Sequence, residues 1–284
     1  MELKHIATRV GRLSSFLKGE MKMSSGLMNR LKWGDAIQVN GKPEHTNFAV
    51  SYGDVITVRL DEPEADYPAE MGELTVLYED DHILAVDKPA GMLIHPSHSQ
   101  NSGTLANRVL WHYLQTGQQS AFHPVTRLDR DTFGVVLLAK NSHIHSLLQQ
   151  TDVEKIYHGL VYGGPSQEHG FIDAPIARRP LPSLLRFVDP SGKPSQTEFT
   201  VLHREGDTTL LALRPITGRT HQLRLHCAYS GFPILGDPQY GSAQSQAVSQ
   251  NLGYTYQRLC AHSVSFLHPI TEERVTIRTQ MQAK

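Results

Sequence analysis

Arg127, Asp129, Arg130 and Asp131, with Leu128 among them, bring four charges to the threshold of an unbroken apolar run, Gly-Val-Val-Leu-Leu-Ala, at 134–139. A short run of that kind reads as a strand buried on both faces. The charges therefore stand at the rim of a core. An unpaired carboxylate is costly there, so Asp129 requires a cation or hydrogen-bond donors brought from elsewhere in the chain. From the residues alone, the cluster is either a structural ion-pair corner or the floor of a site that uses the charge.

The pattern elsewhere surrounds this strand with others. Residues 74–78 and 83–86 read as paired strands about a turn at Asp80 and Asp81, and 155–162, 197–202, 209–213 and 274–279 as further strands. Residues 104–114 have helical spacing with Thr104 as N-cap, 142–150 form a second helix, and a third, capped by Thr220 and stopped by Gly231, carries Arg224. Strands outnumber helices and do not alternate regularly with them. The expectation is an α+β fold with a large mixed, mostly antiparallel sheet and flanking helices.

Charge is spread unevenly, and that divides the chain. Residues 1–60 carry nine Lys or Arg and five Asp or Glu, 61–82 carry nine acids and no Lys or Arg, and 83–284 carry 18 basic and 14 acidic residues. The formal net charge of −1 thus conceals two mildly basic units flanking an acidic stretch. Such units suit a polyanion, since nucleic-acid affinity draws on phosphate neutralisation. Pro63 and Pro68 lie among the acids and mark a boundary. The expected domains are 1–60, a solvated acidic linker at 61–73, and 74–284. Within the first, a helical region over 13–32 precedes a strand at 37–39 that enters the hairpin turn Asn40-Gly41, and Gly53-Asp54 opens another strand at 55–60. No apolar run approaches the ~18 residues of a membrane span, and the N-terminus lacks an apolar signal core. Cys227 and Cys260 show no paired spacing, so a cytoplasmic setting is expected.

The string Arg127-Leu128-Asp129-Arg130-Asp131-Thr132-Phe133-Gly134, ending in Ala139-Lys140, resembles the Arg-Leu-Asp-x-x-Thr-Ser-Gly signature of the RluA family of pseudouridine synthases. Three more segments agree in order: the lead-in from Asp81 through Lys88-Pro89-Ala90-Gly91, the tyrosine strand around Lys155-Ile156-Tyr157, and Thr217-Gly218-Arg219-Thr220-His221-Gln222-Leu223-Arg224 continuing to Gly236-Asp237-Pro238-Gln239-Tyr240-Gly241. The first 60 residues, through Gly11-Arg12-Leu13, Ser24-Ser25, Val39-Asn40-Gly41-Lys42 and Gly53-Asp54-Val55, resemble the small α+β RNA-binding domain first recognised in a small-subunit ribosomal protein. Two departures stand in the signature: Thr126 where the family has His, and Phe133 where it has Ser.

The resemblance implies a pseudouridine synthase-like catalytic core that detaches uracil from ribose, turns it and reattaches it through carbon five, within ribosomal or transfer RNA. It implies Asp129 as the essential carboxylate, by a nucleophilic or a general-base route, Arg224 as its ionic partner, and Tyr157 as the ring beneath uracil, its hydroxyl assisting the last proton removal. Arg127 is expected to stack where the extruded base had been, and Arg219 to meet phosphate. In the N-terminal unit Lys18, Lys22, Arg30 and Lys32 are the expected phosphate contacts. A monomer is expected. No Gly-rich phosphate loop or dinucleotide fingerprint appears, so no cofactor is expected. The close pairs His95 and His98, His143 and His145, and His221 and His226 lack metal-ligand spacing and are read as surface or phosphate-side donors, so no metal is expected. Two competing readings are a non-catalytic RNA-binding or assembly factor, which the joint presence of Asp129, Tyr157 and Arg224 opposes, and a glycoside hydrolase, which needs two facing acids that Asp129 and Asp131 in one turn do not supply.

Overall fold

The computed structural model describes residues 2–283 apart from 63, 64, 98, 99, 181, 182 and 184. Pro63 and His98, singled out above, lie outside the described residues. The described helices are α1 (Leu13–Lys18), α2 (Ser25–Leu31), α3 (Leu105–Gln115), α4 (Ser142–Gln150), α5 (Gln222–Tyr229) and α6 (Ala243–Asn251).

The apolar run becomes the strand Phe133–Ala139, with all seven residues buried. It sits inside a ten-stranded sheet. In spatial order the path runs His169–Asp173, Gln196–Glu205, Thr208–Pro215, Glu154–Tyr162, Leu259–Leu267, Phe133–Ala139, Ile83–Lys88 and Thr75–Glu79. Arg274–Arg278 pairs beside Leu259–Leu267, and His123–Pro124 beside Phe133–Ala139. The pairing of Phe133–Ala139 with Leu259–Leu267 is parallel and its pairing with Ile83–Lys88 antiparallel, so the sheet is mixed and mostly antiparallel, as expected. Val135, Leu137 and Ala139 pack towards α4, while Val136 and Leu138 pack towards α3. Burial on both faces is why the run shows no polar alternation. Across the other half of the sheet, Leu223 and Cys227 of α5 enter one core with Tyr157, Val161, Leu211 and Leu213.

The N-terminal residues build a core of their own. Leu13, Phe16, Leu17, Ile37, Val39, Ile56 and Val58 pack together beneath a four-stranded sheet, and all the members of that cluster lie between Leu3 and Leu60. The helical region expected over 13–32 consists of two helices. Gly19 ends α1, Lys22 takes a left-handed φ of 50°, and Met21 and Met23 on either side turn into the core. A small domain gains more by folding the chain back over its sheet than by extending one helix into water.

The acidic linker departs from the solvated strand of chain that was expected. The Glu62 side chain is only 8% exposed: its Oε1 accepts from the backbone N and the Oγ of Ser142 at 2.7 and 2.9 Å, and its Oε2 lies 3.0 Å from His123 Nε2. Burial opposes that charge, yet these partners outweigh it and hold the carboxyl down at about 2. The N-terminal unit also touches the larger one directly. Lys22 Nζ pairs with Glu272 Oε1 at 2.7 Å, and Arg30 Nη2 donates to Ser142 Oγ at 3.2 Å, beside an open groove of about 380 Å³.

Candidate active site

Asp129 stands in the loop that enters the buried strand, and the backbone there allows little choice. Gly134 has φ +107°, and a Cβ at that position would collide with the Ala261 carbonyl of the parallel neighbour, so only glycine fits. The loop is tied down at several points. Thr126 donates its N–H to the Leu137 carbonyl at 3.2 Å and accepts the Leu137 N–H on Oγ1 at 2.9 Å. Leu128 packs against two core clusters, and Thr132 N–H returns to the Asp129 carbonyl at 3.2 Å. Both departures from the family signature therefore have structural work in this chain. Thr126 closes the loop on the strand, and Phe133 turns away into a small cluster with Cys260, Ala283 and Tyr256.

Lys88 supports the loop from below. Its side chain is fully buried, and Nζ donates to the carbonyls of Pro89, Met92 and Arg130 at 2.9, 2.9 and 2.8 Å. Burial lowers its pKa to about 8 against the pull of Asp131 and Asp129. The sequence shows only a lysine before a proline, and nothing local marks it as buried.

The cation that Asp129 requires is Arg224. Its Nη1 donates to Asp129 Oδ2 at 3.1 Å, while Nε and Nη2 grip Asp237 Oδ2 and Oδ1 at 2.7 and 2.8 Å and Nη2 also reaches Gln239 Oε1 at 2.9 Å. Arg224 and Asp237 side chains are 5% and 0% exposed, whereas that of Asp129 is 30% exposed. Burial works against the guanidinium charge, but Asp237 and Asp129 together raise its pKa. Among the described residues, Asp129 Oδ1 has no hydrogen-bond partner. Asp237 is held in place by the turn at Gly236, where φ is +73° and a Cβ would strike the Tyr256 carbonyl.

The helix that carries Arg224 is not capped by Thr220. The N-cap is His221, in a left-handed conformation and without a side-chain cap bond. Gln222 organises the turn instead: its Oε1 accepts from Arg219 N and Thr217 Oγ1, and its Nε2 donates to Gln196 O and Thr197 Oγ1. His226 is buried between Thr197 Oγ1 and the Ala174 carbonyl, and His143 is buried as well, so neither is the surface donor expected of it. Six of the eight α5 residues are buried, which is why its polar members point inward as a network.

Tyr157 is buried in the core under the same site. Burial first, and the Asp129 charge second, raise its hydroxyl pKa above the ordinary range, so it is a neutral phenol at physiological pH. His221 Nε2 lies 3.9 Å from Asp129 Oδ2 and its Nδ1 lies 2.9 Å from the Tyr240 hydroxyl, whose ring faces the Arg224 guanidinium at 5.2 Å. Arg127 is exposed two residues before Asp129 and makes no ion pair among the described residues. Arg219 is exposed beside α5, with a 3.4 Å contact from Nε to the Pro194 carbonyl. Lys18, Lys22 and Arg30 are exposed and Lys32 half-buried, all in the N-terminal unit and apart from this cluster. Among the described residues, no three His, Cys, Asp or Glu side chains gather to hold a metal ion.

Asp237, Gln239, Tyr240, His221 and Lys88 are thus site residues whose roles the sequence reading did not assign. The signal for Asp237 was its place in the family-like segment Gly236-Asp237-Pro238-Gln239-Tyr240-Gly241, which did not show that it grips Arg224.

The chain matches a known family. Residues 82–229 match the RNA pseudouridylate synthase family. The chain is 37% identical to an uncharacterized RNA pseudouridine synthase, YjbO, of Bacillus subtilis, covering 90% of this chain and 91% of that relative. It is 32% identical to the ribosomal large subunit pseudouridine synthase C of Vibrio cholerae, covering 96% and 90% of the two chains. The fold is similar to that of human RNA pseudouridylate synthase domain containing 1, with TM-score 0.61, 25% identity, and 75% and 86% of the two chains covered. The chain belongs to the RNA pseudouridine synthases, and to the RluA-like group within them. It is an isomerase that acts on uridine in RNA. No helix among the described residues is long and apolar enough to cross a membrane.

Proposed function

We propose that this chain isomerises a uridine of large-subunit ribosomal RNA, with Asp129 as the reacting carboxylate. The choice of RNA is supported by the names of relatives that act on the large ribosomal subunit. The choice of residue is supported by one observation above all. Asp129 offers an unbonded Oδ1 from a partially exposed side chain, while Arg224 secures the other oxygen from within the protein.

In this reading the target nucleotide leaves the RNA stack, and its ribose meets Oδ1. The bond from C1′ to N1 breaks, uracil turns, C5 bonds to C1′, and the proton on C5 is lost while N1 gains one, so nothing is consumed. Arg224 orients Asp129 by donating from Nη1 to Oδ2. Tyr157 supplies a flat face under the base, and its neutral hydroxyl sits near the final proton removal. Arg127, exposed and without an ion pair among the described residues, fills the place the base has left. Arg219 meets phosphate nearby, and Lys18, Lys22, Arg30 and Lys32 meet it from the N-terminal unit, which selects the RNA. The protein works as a monomer in the cytoplasm, without a metal.

The test is the full chain, wild type and Asp129→Asn, on ribosomal and transfer RNA, with pseudouridine mapped by site. Wild type should modify large-subunit RNA, and Asp129→Asn should bind it and leave it unchanged. Modification confined to transfer RNA would remove the substrate assignment, and wild-type turnover by Asp129→Asn would remove the residue assignment.

A further inference from the structure

His221 stands beside Asp129, with Nε2 3.9 Å from Oδ2. It is one of four described non-glycine residues with positive φ, at 58°, and it caps α5 without using its side chain as a cap. A left-handed non-glycine residue costs energy and persists where its surroundings require it. Here the conformation sends the imidazole into the site. Tyr240 Oη accepts the backbone N–H of Arg186 at 3.0 Å, so its own proton is free for His221 Nδ1, 2.9 Å away. With Nδ1 accepting, the ring proton resides on Nε2, and Nε2 is the atom that faces Asp129 Oδ2 at 3.9 Å.

The groups around the ring are Asp129 and Asp237, Arg224 and Arg186, and the Tyr240 hydroxyl. Burial, with help from the two arginines, lowers the His221 pKa against the carboxylates, so the ring is neutral at physiological pH. The 3.9 Å approach is therefore not an ion pair, and it exceeds the ~2.7–3.2 Å of a hydrogen bond. Arg224 holds Asp129 by a single N–H, which leaves the soft terminal torsion of the carboxylate under-determined. A second donor on the same oxygen would remove that freedom. Arg186 lies in the strand Arg186–Val188, paired with Ile176–Arg178, so the chain of bonds runs from that hairpin to the carboxylate.

We propose that His221 is a positioning residue for Asp129: its Nε2–H, aimed by Tyr240, closes on Oδ2 when the cleft is filled and turns Oδ1 to the ribose. The inference rests on the reading of Asp129 as the reacting carboxylate. It is tested on the full chain with His221→Ala, His221→Asn and Tyr240→Phe, measuring the single-turnover rate at saturating RNA separately from the RNA concentration for half-saturation. His221→Ala and Tyr240→Phe should lose roughly tenfold or more in rate with half-saturation within about twofold of wild type. His221→Asn keeps an N–H donor and tolerates the left-handed backbone, so it should recover part of the loss. Ring nitrogen-15 shifts should show the proton on Nε2 in wild type, and a mixture of tautomers in Tyr240→Phe. Should His221→Ala melt early, Tyr240→Phe carries the rate test. Rates within about twofold of wild type, a loss confined to half-saturation, or a wild-type ring protonated on Nδ1 would each overturn the proposal. If Asp129→Asn were also fully active, the reading beneath it would fall too; an inactive Asp129→Asn beside normal His221 variants would remove only the role of His221.

Discussion

Arg224 holds Asp237 through two nitrogens, Nε and Nη2, and reaches Asp129 through only one, Nη1. The carboxylate that anchors the arginine is therefore the buried one, and the carboxylate proposed to react is the one left partly free. A bidentate grip on Asp237 fixes the plane of the guanidinium, so Nη1 arrives at Asp129 from a set direction. The desolvation of the arginine is offset mainly by Asp237.

Asp237→Asn should therefore be costly in stability as well as rate. It removes one partner of an ion pair whose side chains are 5% and 0% exposed, and breaking such a pair costs about 3–5 kcal/mol. Chemical denaturation should show that loss, whereas Asp129→Asn, at the exposed end of the same arginine, should unfold close to wild type. Equal stabilities for the two variants would contradict this division of labour.

Lys88→Met should impair turnover without touching substrate. The substitution keeps the volume but leaves the carbonyls of Pro89, Met92 and Arg130 without their donor, and the last of these belongs to the loop of Asp129. A rate loss of roughly tenfold, about 1.4 kcal/mol in the barrier, is expected. The folded pKa of Lys88, about 8, lies below its ordinary value. The unfolded chain thus holds the proton longer, and wild-type stability gains from this residue as pH rises from about 8 towards 10.5. That gain should be missing from the denaturation profile of Lys88→Met.

Acid should weaken the sheet at His158, the residue after Tyr157 in the strand Glu154–Tyr162. His158 stacks on His262 with centroids 3.9 Å apart and planes 12° apart. Burial, and then the charge of His262, lower the His158 pKa to about 4. Unfolded His158 takes its proton near 6.5 and the folded residue resists until about 4, so this contribution is intact above 6.5 and is lost as pH falls through that window. In His158→Phe, thermal melts from pH 7 to 4 should show a shallower decline than wild type.

The boundary of the N-terminal unit can be tested by two deletions. Removing residues 2–60 leaves Glu62 to accept from Ser142 and His123, and removing 2–66 does not. Both should isomerise uridine while binding RNA more weakly and with a shallower salt dependence, having lost the lysines and arginines of that unit. Only the longer deletion should also be destabilised, by about 1–3 kcal/mol for the unsatisfied Ser142 N–H. Identical melting of the two would show that Glu62 is not part of the larger unit.

Several elements had no legible signal. The strand Leu259–Leu267 interrupts its buried apolar residues with His262, Ser263 and Ser265 at half-buried positions, and α6 buries Ser245 and Ser249 where periodicity looks for Leu or Val. Strand Glu2–Ile6 alternates, but its inward residues Leu3 and His5 are only half-buried. In each case the tertiary neighbours supply the burial, and the side chains themselves do not advertise it. Where the helical region 13–32 breaks was hidden for a related reason, since the turn at Lys22 depends on the sheet it must cover.

What the amino-acid order determined by itself was local: a buried strand at Phe133–Ala139, four charges at its mouth, a hairpin at Asn40-Gly41, and the demand that Asp129 find a positive partner. Periodicity and desolvation act over a few residues, so they can be read without coordinates. The family resemblance had named Arg224 as the answering cation, but how it is shared was decided only in three dimensions, where a chain separation of 95 residues closes to 3.1 Å and Asp237 takes the stronger hold. The left-handed turn at His221, the depth of Lys88 and the docking of Glu62 belong to the same class. Each depends on how much water the surrounding fold excludes, which is a property of the packed chain and not of any stretch of it.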